Sequence, residues 1–148
     1  MDLGVLGYFA ALGLAACGSA IGIGIAGQAA IGVWKKAFLS GKRASAVMFA
    51  LVGAPFTQTI YGYILMGQLI GALSRGITQT AAVFGIGLFG GLGIALSAWF
   101  QGKAAAAAAD AYGESGKGFG LYMIVLGIIE TIALLVMVFG LGVAKALV

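Results

Sequence analysis

Polar positions interrupt this chain rarely, and they divide it into four long apolar segments. The first runs from about Leu3 to Trp34, the second from about Ala44 to Leu73, the third from about Ile77 to Ala109 and the fourth from about Gly118 to Val148. Between them lie Lys35 to Arg43 with four positive charges, the short Ser74-Arg75-Gly76 turn, and the polar stretch Asp110 to Lys117. Each segment of roughly 30 residues makes a helix about 45 Å long at 1.5 Å per residue. That exceeds the roughly 30 Å hydrocarbon core of a bilayer, so such helices tilt or protrude. Helix is the element expected, because an open strand leaves its backbone unsatisfied in lipid. The fold class predicted is all-α: four transmembrane helices.

The composition sharpens this reading. The chain has 148 residues, of which 62% are hydrophobic and 8% charged, and its mean hydropathy is +1.14. A soluble domain carries about a quarter charged residues, so a soluble domain and a disordered chain are both excluded. There is no His and a single cysteine, Cys17. No intramolecular disulfide, His or Cys metal site, or imidazole switch is available. The eight basic residues form no stripe that would track a nucleic acid. Six of them (Lys35, Lys36, Lys42, Arg43, Lys103 and Lys117) lie on the side of the first and third breaks, leaving Arg75 and Lys145 opposite. By the positive-inside rule, loops 1–2 and 3–4 are expected in the cytoplasm and both termini outside. A prokaryotic plasma membrane is the expected location.

Two motifs mislead. Leu14-Ala15-Ala16-Cys17 fits a lipoprotein cleavage box, but Asp2 replaces the basic start of a signal peptide and the apolar run continues past it. Gly22-Ile23-Gly24-Ile25-Ala26-Gly27 fits a dinucleotide fingerprint, without the preceding strand or the later acidic residue. Its glycines are read instead as helix contacts in lipid. Glycine and alanine concentrate in segments 1 and 3, which are expected to pack tightly, with segments 2 and 4 forming a looser, lipid-facing layer.

The halves of the chain repeat weakly. A shift of 75 aligns Gly18, Ala20 and Gly27 with Gly93, Ala95 and Gly102; a shift of 72 aligns Gly41, Thr59 and Ile60 with Gly113, Thr131 and Ile132. The chain reads as a doubled helical hairpin, 1–73 and 74–148, in which Gln58 corresponds to Glu130.

Glu130 is the one carboxylate inside an apolar segment. An ionised side chain at the bilayer centre costs about 3 kcal/mol or more, so such a residue signals function. Thr57 and Gln58 in helix 2 and Gln101 in helix 3 fall at comparable depth, about 14 to 20 Å from the cytoplasmic helix ends. Tyr61 shares the face of Thr57 and Gln58. Pro55 has no N–H to donate, which frees a carbonyl near Ala54 or one turn earlier. One negative charge among neutral oxygens suits a hard monovalent cation; a divalent ion wants more carboxylates. The site is therefore expected to take Na⁺ or Li⁺, with H⁺ competing for Glu130.

These residues carry a resemblance. Pro55-Phe56-Thr57-Gln58-Thr59-Ile60-Tyr61-Gly62, Gln101-Gly102-Lys103 with its alanine run, and Glu130-Thr131 resemble the proteolipid (K or c) subunit of V-type rotary ATPases, over nearly the whole chain. In the sodium-translocating branch the resemblance implies Na⁺ ligands at Glu130, Gln101, Thr57, Gln58 and the Ala54 backbone carbonyl, with Tyr61 closing the site over the carboxylate. Ala54 departs from the bulkier residue of sodium-type relatives. The resemblance further implies a ring of about ten identical subunits, helices 1 and 3 inside, a stator subunit that supplies an Arg, and central-stalk subunits on the cytoplasmic loops. Such a proteolipid carries one ion between stator half-channels and has no catalytic centre of its own; ATP hydrolysis or ATP synthesis belongs to a separate head. A proton-translocating ring subunit is the alternative, and a small four-helix cation-coupled antiporter a more distant one.

Overall fold

The computed structural model describes residues 2–147. Its elements are α1 (Leu3–Leu39), α2 (Val47–Gly53), a single 3-10 turn (Ala54–Phe56), α3 (Thr57–Ser74), α4 (Thr80–Ser115) and α5 (Phe119–Ala146). The 3-10 turn links α2 and α3 into one 28-residue rod. The described residues thus contain four helices long and apolar enough to cross a membrane.

Three boundaries differ from the sequence reading. α1 continues through Lys35 and Lys36 to Leu39, and α4 continues through Asp110 to Ser115. Hydropathy marks where a helix leaves lipid, whereas the backbone stays helical until something stops it. For α4 the stop is Gly116, left-handed at φ +65°, whose N–H donates to the Tyr112 carbonyl. The connection after α3 runs on to Gln79 rather than closing at Gly76. At the other end of α1, Asp2 caps the helix by accepting from the Gly4 N–H at 2.8 Å.

The two hairpins interleave. α1 packs most extensively along α4, and the helices run parallel: Gly7 lies against Phe84, Gly18 against Ala95, Gly22 against Ala98 and Gly102. A Cβ at Gly7 would lie 2.6 Å from the Val83 carbonyl oxygen, and one at Gly102 would collide with the Gly22 backbone. Contacts this close make dispersion effective between helices where lipid removes the hydrophobic incentive to associate. α3 lies on α1 and α4, with Gly62 against Ala15, and α5 lies on α4 and α3.

α5 is the most thinly covered of the spanning helices. Its outer face carries Leu121, Ile124 and Ile128, the first 69% exposed. An apolar surface this extensive requires a nonpolar surrounding. At the opposite pole of polarity, the loop end of the bundle holds Lys36 3.8 Å from Asp110 and 3.9 Å from Glu114, exposed pairs worth little in stability. There the Trp34 indole donates to the Ser45 carbonyl at 3.0 Å.

Candidate ion-binding site

The site assembles where α3, α4 and α5 meet. Proline at position 55 begins it. Lacking an N–H, Pro55 interrupts the helical ladder and the chain tightens into the 3-10 turn before α3 starts. The Thr57 hydroxyl donates back to the Ala54 carbonyl at 3.1 Å and lies 3.2 Å from Gln58 Oε1. Gln58 is fully buried, and its Nε2 donates to Gln101 Oε1 across 2.7 Å.

Gln101, also fully buried, is the junction of the three helices. Its Nε2 donates to the Leu126 carbonyl at 2.9 Å and reaches Glu130 Oε2 at 3.4 Å. The Tyr61 hydroxyl donates to the other carboxylate oxygen, Glu130 Oε1, at 2.8 Å. One turn from Gln101, Ser97 ties α4 to α5 by donating to the Ile129 carbonyl at 2.8 Å. Glu130 itself is half-buried and lies 11 residues into α5, about 17 Å from its start.

All six positions singled out in the sequence therefore fall in one hydrogen-bonded chain, from the Ala54 carbonyl through Thr57, Gln58 and Gln101 to Glu130, with Tyr61 on its far side. The Leu126 carbonyl was not anticipated, because a backbone acceptor leaves no trace in residue type. The internal repeat held the signal: the shift of 72 that pairs Gln58 with Glu130 also pairs Ala54 with Leu126. The two carbonyls accept hydrogen bonds from side chains on either side of the same layer.

The donor set is chemically narrow. One carboxylate stands among two amide oxygens, a hydroxyl and a backbone carbonyl, all hard oxygens. No group of three or more His, Cys, Asp or Glu residues able to hold a metal occurs among the described residues. Such a set balances a single positive charge and replaces lost hydration with neutral dipoles.

Fold and site together define a multi-pass integral membrane proteolipid with one buried-layer carboxylate. Residues 84–143, within the second hairpin, match the family of the ATP synthase C subunit. Over 132 residues, 89% of this chain, the sequence is 36% identical to the A-type ATP synthase K subunit of Methanocaldococcus jannaschii, and it spans 57% of that protein's length. The chain belongs to the ATP synthase C-subunit family.

Proposed function

We propose that the chain is a rotor-ring subunit of an A/V-type ATP synthase or ATPase, binding one Na⁺ at Glu130 and carrying it between two half-channels of a stator. The observation that carries this reading is the hold on Glu130. Its two oxygens face different donors, Tyr61 and Gln101, within a layer of buried oxygens on three helices.

In this scheme Glu130 supplies the countercharge, and Thr57, Gln58, Gln101 and the Ala54 carbonyl replace the ion's water. Tyr61 keeps the carboxylate turned toward the site. At the stator an arginine competes for the carboxylate and the ion leaves; moving one charge through 100 mV is worth about 2.3 kcal/mol. A closed ring of identical copies supplies the rotation, the loops before α2 and after α4 contact the central stalk, and nucleotide chemistry takes place in other subunits. The orientation that fits the charges has both termini outside and the 1–2 and 3–4 loops in the cytoplasm.

A carbodiimide tests both the residue and the ion, since it attacks a protonated carboxyl in an apolar setting. Labelling at Glu130 that millimolar Na⁺ suppresses at neutral pH supports the sodium reading. Labelling that responds to pH and ignores Na⁺ assigns the same machinery to protons. Labelling elsewhere rejects Glu130 as the carrier.

A further inference from the structure

Lys103 has no part in the site, yet it stands on a membrane-spanning helix. It is exposed on the face of α4 turned away from α5, next to exposed Trp99 and Phe100. Between Thr80 and Gly102, α4 carries no charge, a stretch of about 35 Å, one hydrocarbon core in length. Past Lys103 the same face bears Ala107, Asp110 and Glu114. The apolar belt of this face therefore ends at Lys103. Aromatic rings with a cation are the usual furniture of a headgroup boundary.

The ammonium points the same way. Lys103 Nζ sits 5.0 Å from the Trp99 ring centre and 5.3 Å from that of Phe100, residues nearer the start of α4. It reaches back along the helix, away from the loops, whereas a lysine sunk below the loop-side boundary extends toward it.

The outer face of α5 ends its belt at another level. Gln101 meets the Leu126 carbonyl, and the Tyr112 and Phe119 rings meet 6.2 Å apart, so Lys103 is roughly level with Ile124. Yet α5 stays apolar from there to Phe119, with Leu121 69% and Ile124 59% exposed. The two belts are staggered by about 9 Å. A flat leaflet cannot end at both levels across one narrow bundle. A ring can accommodate both, because it separates the lipid it encloses from the lipid around it; this step rests on the ring proposed above.

We propose that Lys103, flanked by Trp99 and Phe100, is a headgroup site for an acidic phospholipid, set about 9 Å nearer the chain termini than the headgroups that border α5. The phosphate accepts from the ammonium and the acyl chains run along Leu96 and Leu92 toward the start of α4. A zwitterionic lipid offers its phosphate with a compensating cation, so net charge gives the preference.

The test is lipid retention by the whole protein, taken from bilayers of equal phosphatidylglycerol and phosphatidylcholine and weighed intact by native mass spectrometry. The expected result is about a fivefold preference for phosphatidylglycerol, the equivalent of about 1 kcal/mol for one lysine at an anionic surface. Lys103→Gln removes the preference, Lys103→Arg keeps it, and Lys117→Gln leaves it unchanged. A Lys103→Gln protein that retains the preference overturns the proposal. So does a Lys103→Gln protein that no longer forms oligomers, since Lys103 then joins copies rather than lipid. A wild-type protein that forms no ring counts against the proposed function instead, and the depth of Trp99 then judges the lipid site separately. In Trp34→Phe, which leaves Trp99 as the one tryptophan, lipids brominated near the headgroup should quench more strongly than lipids brominated near the chain end. The reverse order overturns the proposal.

Discussion

The Tyr61 hydroxyl on α3 donates to Glu130 Oε1 on α5 at 2.8 Å, joining the two helices that belong to different hairpins through the chain's one intramembrane carboxylate. A hydrogen bond to a charged acceptor is worth about 1.5–3 kcal/mol. Tyr61→Phe keeps the ring and its packing and removes only this donor. Half-saturation by Na⁺ should shift about tenfold or more upward, read as the concentration that protects Glu130 from carbodiimide, with the oligomeric mass unchanged. An unshifted protection curve removes Tyr61 from the gate.

Glu130→Gln replaces the carboxylate with an amide of nearly the same shape. The amide oxygen still accepts from Tyr61, so assembly and thermal stability are expected to persist. Ion transport and the ATP turnover coupled to it should vanish in reconstituted vesicles. Normal Na⁺-dependent turnover in this variant rejects the proposed function.

Gln101→Leu breaks the junction of three helices. It leaves the Leu126 carbonyl and the Gln58 amide without the partners they have at 2.9 and 2.7 Å. Each orphaned buried group costs about 1–3 kcal/mol, so the protein should dissociate at a lower temperature in detergent. Na⁺ protection of Glu130 should fall far more than protection by raised pH. Equal losses argue that Gln101 is structural alone.

Gly102→Ala and Gly24→Ala form a matched pair. A Cβ at Gly102 meets the Gly22 backbone, which has no side chain to move aside, while one at Gly24 meets nothing within 4 Å. Overpacking of this kind costs about 1–3 kcal/mol. Gly102→Ala should therefore lower the yield of folded protein sharply, and Gly24→Ala should leave it unchanged in a thermal-shift measurement.

Much of this protein is written one residue at a time. Apolar runs without charge force spanning helices, because lipid leaves no other way to satisfy a backbone. Glu130 stands out by the cost of its burial. Spacing by three and four places Tyr61 beside Thr57 and Gln58, and counting from the helix ends places Gln101 at their depth. The rest depends on the phase and lean of one helix against another, which hydropathy does not encode. Only the packed structure decides that Gly22 meets Gly102, that the backbone of Leu126 joins the site, and that Lys35 and Asp110 still lie on helix after the apolar runs have ended. Side-chain chemistry determined what the layer contains. Close approach between glycine-faced helices, set by atoms that every residue shares, determined which groups touch.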